Sequence, residues 1–423
     1  MNNFLPLRKL LAGEQPATVV FVNDAGFIGG AGVAHRRKIQ SFLSAGHKVA
    51  AVCWLENPHP DPLPPRGGVF RGQWLGLRSV PDIHQNAGLS NSEIAQRLCD
   101  IVSSFRPDLV IFGNLHWASW TVDVVEKIAA TGIPSVCYLH DSHWLTGRCA
   151  YTGECKKYLA GCDASCPTPE EYPPASPYLI ESNWLARRRV FCGDDRVPLF
   201  ANSHWMQHLA ESAFNGKATV RLVPLGLDNK LFSPIDRTLA RRLLELPTEG
   251  LLVVVGAVDL REPRKGGALL ESVIKNIHKH TSARVVTFGA RSEQFQGVIS
   301  LGIIQDERLM PFIYSAADVM IHTAHEESFG QTLMEAAACG IPVISMAAGG
   351  MVDIARHGKN GLNVPQNDPV AYFDAVRTLL DSTALRVQMG AAGCEIVELE
   401  YSLATQYAFW KQNLMGLCDE GVA

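Results

Sequence analysis

Apolar residues in this chain fall in short unbroken runs rather than in alternation with polar ones. ATVVFVN (17–23), HKVAAVCW (47–54), DLVIFGN (108–114), PSVCYLH (134–140) and PLFANS (198–203) are the first five. A strand with one face in water alternates, whereas a continuous apolar run predicts a strand covered on both faces, as in a parallel sheet. Between several of these runs, as over Ala34–Ser44 and Ile94–Phe105, apolar positions recur at helical spacing. Strand, helix and strand in succession form the βαβ unit of a doubly wound sheet. The pattern then begins again with LLVVVGAV (251–258), ARVVTFG (283–289), DVMIHTA (318–324) and PVISMAA (342–348).

The expected fold class is therefore α/β, with two doubly wound, Rossmann-like domains facing a central cleft. The join falls within PLGLDNKLFSPI (224–235), where Pro, Gly and Asn cluster. Residues 1–225 are assigned to the first domain and 226–400 to the second. Residues 401–423 hold an amphipathic segment, Ser402–Leu417, expected to pack back across the domains. In doubly wound sheets ligands bind outside the carboxyl ends of the strands, so the residues that follow each apolar run are the ones to search. One stretch breaks the pattern: 144–182, rich in Cys, Pro, Gly and Tyr, is too long for an ordinary connection and reads as a functional or specially stabilised insert.

Composition changes this picture little. The 423 residues are 47% apolar and 19% charged, and a net charge of -4 gives no electrostatic case for nucleic acid as a partner. No run approaches the ~20 apolar residues that span a bilayer, and the N-terminus lacks the apolar core and cleavage site of a signal peptide. A cytoplasmic protein is expected. Seven of the eleven cysteines sit singly in apolar segments, as small hydrophobes do. Cys149, Cys155, Cys162 and Cys166 cluster in the insert, where they read either as a structural zinc site or as four reduced thiols, their spacings being unlike those of a zinc ribbon.

The densest chemical signal is HEESFGQTLMEAAACGIPVISMAAGG (325–350), which follows the run DVMIHTA. The chain leaves a strand and enters a helix near Ser328 or Phe329, whose backbone amides favour a phosphate, while Gly330 lets a ligand come close. Glu327 stands at the first turn and Glu335 about two turns inside, reaching back because helical side chains lean toward the N-terminus. Taken alone, the pair is equally well explained as a charge complementing the helix dipole and a solvated helix residue.

With its surroundings, the segment closely resembles the Glu-x7-Glu element of family 4 retaining glycosyltransferases of the GT-B fold. VPLGLDNKLFSP (223–234), VGAVDLREPRKGG (255–267), YSAADVMIHTAHEESFG (314–330) and GGMVDIARHGKNGLNVP (349–365) resemble further elements of that family, in its order. The resemblance covers most of the chain. It implies that Glu327 contacts the transferred sugar, Glu335 the donor ribose and Lys265 the diphosphate, where a fixed cation stabilises the leaving charge. Gly256-Ala257 stands where the family has Gly-Arg, so Arg261 or Arg264 takes that arginine's place.

In the first half, NDAGFIGGAGVAHRR (23–37) follows a strand and opens a helix. Gly29, Gly30 and Gly32 allow phosphate or acceptor near the backbone, although His35 replaces the last glycine of a dinucleotide fingerprint. Glu56, about 25 residues on, keeps an NAD reading open. CYLHDSHWLTG (137–147) ends a strand on His140, which the resemblance assigns to the donor sugar, with Asp141 as its orienter. Some polysaccharide-assembly members of the family carry a similar Cys insert at this point. Arg187, Arg188 and Arg189 form a basic run, either a solvated face or a contact for anionic headgroups.

The resulting expectation is a retaining glycosyltransferase in cell-surface polysaccharide assembly. It takes a UDP- or GDP-sugar in the second domain and a saccharide acceptor, lipid-linked or free, in the first. It requires no cofactor for catalysis, any zinc being structural, and peripheral contact with the inner face of the membrane is left open. A sugar-nucleotide epimerase of the same architecture, an NAD-dependent oxidoreductase and a non-catalytic sugar-nucleotide-binding subunit are the rival readings.

Overall fold

The structure, a computed structural model, describes residues 3–13, 15–55, 61–62, 69–260 and 262–420. Glu56 and Arg261 lie outside the described residues. Two compact units divide the chain, one of Met1–Gly226 with Leu403–Ala423, the other of Leu227–Ser402.

The first unit is built on β1 (Thr18–Val22), β2 (Lys48–Cys53), β3 (Gln73–Ser79), β4 (Leu109–Phe112), β5 (Ser135–Leu139), β6 (Leu199–Ala201) and β7 (Val220–Leu222). They form a parallel sheet of order β3-β2-β1-β4-β5-β6-β7. Every apolar run of the first series is a strand here, and the interior ones are covered throughout: Val19–Val22, Leu109–Phe112 and Ser135–Leu139 are all buried. The edge strand β3, QWLGLRS, is half exposed and carries no such run. The helix over Gly29–Ser44 begins five residues before its apolar periodicity does, because three glycines in its first turn show no pattern.

The last helix, Leu403–Asp419, belongs to this unit. Trp410 is fully buried, its ring 4.9 Å from Phe200, 5.6 Å from Phe42 and 5.6 Å from Tyr138. Gln406 Nε2 donates to the Pro224 carbonyl at 3.1 Å. The helix covers part of the sheet that the rest of the unit leaves open.

The second unit is built on β8 (Leu252–Asp259), β9 (Arg284–Ala290), β10 (Ile299–Ser300), β11 (Val319–His322), β12 (Val343–Met346) and β13 (Gly361–Val364), parallel and ordered β10-β9-β8-β11-β12-β13. In both sheets the order reverses once, between β1 and β4 and between β8 and β11. At such a switch point the connections leave to opposite faces, and a crevice opens outside the strand ends.

Candidate active site

The switch point of the second sheet gathers the charged residues that the sequence singled out. After β8 the chain makes a short turn, Pro263–Lys265, and enters the helix Gly267–His280. After β11 it runs through His325–Gly330 into the helix Gln331–Ala338. The two segments touch. The Lys265 carbonyl accepts from Thr323 Oγ1 at 2.9 Å, and the Arg264 carbonyl accepts from the His325 amide at 2.8 Å. Gly266, at φ 71°, makes this contact possible, since a Cβ there would lie 2.0 Å from the Thr323 carbonyl oxygen.

Glu327 is thereby set against two cations. Lys265 Nζ donates to Glu327 Oε2, and Arg264 Nη1 lies 3.2 Å from the same oxygen. Burial alone raises the pKa of this carboxyl, but Lys265 and then Arg264 outweigh it and hold Glu327 well below the usual carboxylate range. Nearby His322 is pushed down to about 4 by burial, with Lys265 adding, so it is neutral. Of the two arginines left open by the sequence, Arg264 is the one seen at the site. Glu262, which sequence reasoning passed over, accepts from Arg264 Nε at 2.6 Å and fixes the guanidinium. The Glu327 carbonyl accepts from the Gly350 amide at 2.8 Å, which ties the Gly-Gly element to the same loop.

The helix start comes later than expected. Gly330, at φ 94°, precedes the first helical residue, Gln331, so Glu327 stands four residues before the helix and Glu335 only five residues into it. Ser328 is buried, and Phe329 packs its ring against Tyr401 at 5.8 Å, which makes Phe329 a prop for the loop. Glu335 is buried, and Tyr314 Oη donates to its Oε2 at 2.7 Å. The Tyr372 hydroxyl joins the His322 amide, the His322 carbonyl and the Ile344 carbonyl at 3.0–3.1 Å, stitching β11 to β12 where the loop departs. Tyr314 opens the family-like segment 314–330 with no contact legible there, and Tyr372 is one aromatic in a helix, distant along the chain from its partners.

The glycine loop of the first unit is arranged for its own turn. A Cβ on Gly32 would come within 2.5 Å of the Phe27 backbone, so this glycine serves helix against loop. Gly29, at φ 70°, opens the helix with free space where its Cβ would be, and Gly30 follows in the first turn. His140 is buried, with Nε2 2.8 Å from Lys38 Nζ. Burial, then Lys38, holds His140 well below its usual value, which makes it a neutral imidazole. Asp141 does not orient it. The Asp141 carboxylate accepts from Asn114 Nδ2 at 2.8 Å and the His143 amide at 2.9 Å, and it lies 3.0 Å from His116 Nε2. Adjacent residues at a strand end point to opposite sides, and that separates the His140-Asp141 pair.

In the insert, Cys149, Cys155, Cys162 and Cys166 are free thiols. Burial, the neighbouring Arg148 working against it, and the three other thiols leave Cys149 pushed up to about 11. Among the described residues no group of three or more His, Cys, Asp or Glu is placed to hold a metal ion. The basic run is divided between the interior and the surface, where Arg189 is exposed. Arg187 is buried, donating to the His143 and Thr146 carbonyls, Arg188 stacks 4.0 Å over the Trp184 ring, and Arg189 pairs with Glu126 at 2.7 Å. Among the described residues no helix is long and apolar enough to cross a membrane.

Comparison with known proteins places these features. The family model described as "Glycosyl transferases group 1" matches residues 249–382, which contain Lys265, Glu327 and Glu335. A D-inositol 3-phosphate glycosyltransferase of Acidothermus cellulolyticus is 33% identical over 184 residues, 38% of this chain and 40% of that protein. One from Thermobifida fusca is 26% identical over 292 residues, 60% of this chain and 64% of that protein. The chain thus spans 40% of the length of the first curated relatives it matches. Among solved structures, sucrose-phosphate synthase from Thermosynechococcus elongatus superposes with a TM-score of 0.69 at 18% identity, over 95% of this chain and 99% of the other. HepE of Anabaena, solved with UDP and glucose, gives 0.65 at 16% identity over 94% and 99%. Residues 249–382 thus carry a group 1 glycosyl transferase match, and the two parallel-sheet units have the GT-B fold.

Proposed function

We propose that this protein is a retaining glycosyltransferase that moves a sugar from a nucleoside-diphosphate donor to a hydroxyl of a saccharide acceptor, in cell-surface polysaccharide assembly. The observation that carries the reading is the convergence of Lys265, Arg264 and Glu327 at the switch point of the second sheet. Two cations beside a helix N-terminus suit a diphosphate, and they stabilise it most as the glycosidic bond breaks and its charge grows. Glu327, kept ionised by the same cations, accepts hydrogen bonds from sugar hydroxyls. Glu335, further along the helix, does so for the ribose. The acceptor hydroxyl attacks from the face that the diphosphate leaves, its proton passing to the departing phosphate, and the configuration is kept.

The D-inositol 3-phosphate glycosyltransferases among the relatives favour a second acceptor, an inositol phosphate, over the same donor chemistry. The test is a thermal-shift and turnover panel of UDP- and GDP-sugars with oligosaccharide and inositol phosphate acceptors. A donor that binds only the folded chain raises its apparent stability. Lys265→Ala is expected to lower transfer about a hundredfold or more, and Glu327→Ala to abolish it. Rates within about twofold of wild type for both variants would sink the assignment. An isomerised donor sugar without acceptor product would mark an epimerase instead.

A further inference from the structure

Glu327 lies in a loop, and a loop residue keeps one geometry only if its flanks are held by packed neighbours. Two supports hold this one. On its downstream side the ring of Phe329, 2% exposed, meets the ring of Tyr401 edge-on at 5.8 Å. Against its backbone lie Gly349 and Gly350. The Gly350 amide donates to the Glu327 carbonyl at 2.8 Å, and a Cβ on Gly349, at φ 58°, would come within 2.3 Å of the same oxygen. These glycines lead into the one-turn helix Met351–Ile354, where the Asp353 carbonyl accepts from Tyr401 Oη at 3.1 Å. Both supports therefore end on one side chain.

Tyr401 is itself firmly held. It is 4% exposed and closes the helix Thr383–Glu400, its amide donating to the Val397 carbonyl at 3.0 Å. Its own carbonyl accepts from the Leu227 amide at 2.7 Å. Burial pushes its hydroxyl up to about 12, so the proton stays and the group donates to Asp353. A second donor, Arg356 Nε, reaches the Asp353 carbonyl at 3.2 Å, and Arg356 Nη1 pairs at 2.7 Å with Glu400, the neighbour of Tyr401. Filling the space beside Phe329 needs only a ring. The hydroxyl adds a directed bond to the helix that starts at the Glu327 carbonyl.

We propose that Tyr401 is a positioning residue for the transfer reaction, fixing Glu327 through its ring on Phe329 and its hydroxyl on the Asp353 carbonyl. The role rests on the donor reading of Lys265, Arg264 and Glu327. Tyr401 acts through the loop and not on the donor itself, so its loss falls on the chemical step. A catalytic group displaced by about 1 Å costs up to about a hundredfold in rate, while the nucleoside diphosphate keeps its cations.

The test combines initial rates over UDP- and GDP-sugars with calorimetric affinities for UDP and GDP, on Tyr401→Phe, Tyr401→Leu, Phe329→Leu and the double variant Tyr401→Leu with Phe329→Leu. Rates are expressed per folded chain, counted from the calorimetric stoichiometry. Tyr401→Leu is expected to lower kcat about fiftyfold. Tyr401→Phe, which keeps the ring and loses one hydrogen bond, is expected to lower it only about fivefold. Diphosphate affinity stays within about threefold in both, a split that lost packing alone does not produce. The double variant loses no more than Tyr401→Leu, because the two rings act in series. Should Tyr401→Leu not fold, the fivefold loss in Tyr401→Phe decides. A kcat within about twofold of wild type in Tyr401→Phe and in any folded Tyr401→Leu, or a loss confined to diphosphate affinity, overturns the role. A wild-type chain that neither binds nor turns over these donors refutes the donor reading and this role with it; an active wild type with equally active variants refutes this role alone.

Discussion

At the scale of single residues, the second unit shows how burial and charge compete. Glu327 would be a weakly acidic carboxyl if it were buried alone, and Lys265 with Arg264 reverses that. Those three were legible in the sequence because each directly follows a strand of a repeating pattern. Their props were not: Glu262 and Tyr314 lie inside the family-like segments 255–267 and 314–330, but a segment does not say which side chain its residues touch, and Tyr372 lies in neither. Tyr314→Phe tests one prop. The ring volume stays, so the loss is one hydrogen bond to a buried carboxylate, about 1–3 kcal/mol of stability. Donor KM is expected to rise several-fold with kcat less affected, as read from initial rates. An unchanged KM would mean that Glu335 does not touch the donor. Lys38 makes the opposite case, a fully buried amine whose partner is an imidazole. Burial holds its pKa well below the usual 10.5. Between 10.5 and the lowered value the unfolded chain binds a proton that the folded chain does not, so stability falls as pH falls, by at most about 1.4 kcal/mol per unit. His35 and His140, shifted the same way, add to this only below 6.5. Lys38→Met is expected to melt above wild type, with a gap that widens as pH drops from about 9 to 7 in thermal-shift scans. A gap constant with pH would show Lys38 charged in the folded chain.

At the scale of elements, the legible parts were those whose residues are covered on both sides. The runs at 17–23, 108–114, 251–258 and 318–324 became β1, β4, β8 and β11, the strands flanking the two switch points. What escaped were edges and short strands, namely β3, β7, β10 and β13, which are half exposed or only two to four residues long. The start of the helix Gln331–Ala338 was also misplaced, because Gly330 permits a left-handed turn that residue preferences alone place elsewhere. The site depends on loops meeting rather than on the strands themselves, and Gly266 is where they meet. Gly266→Ala would put a Cβ 2.0 Å from the Thr323 carbonyl oxygen at φ 71°. The left-handed conformation alone costs about 1–2 kcal/mol, and relief of the clash pushes the Lys265 turn away from Glu327. UDP affinity measured by calorimetry is expected to fall about tenfold or more, with far-UV circular dichroism unchanged. Wild-type affinity would show that the two loops need not touch for the donor to bind.

At the scale of the whole molecule, the first unit is assembled from two stretches of chain separated by the second. A segment of seventeen residues, Leu403–Asp419, leaves the second unit at Ser402 and completes the first. Its sequence showed amphipathicity but not its partner, because an apolar stripe states that something must cover it without naming what. The partner is visible in the packing of Trp410 on Phe42, Phe200 and Tyr138, residues that precede it by more than two hundred positions. The first unit therefore lacks part of its core without Leu403–Asp419, whereas Leu227–Ser402 forms a unit without that segment. Trp410→Ala separates these contributions. Removing a fully buried indole costs about 3–5 kcal/mol, and that cost belongs to the first unit. Hydrogen exchange followed by mass spectrometry is expected to quicken in peptides covering 38–53, 135–139 and 199–201, and to stay at wild-type rates over 252–259 and 319–322. A uniform rise across both sets would mean that the two units unfold as one.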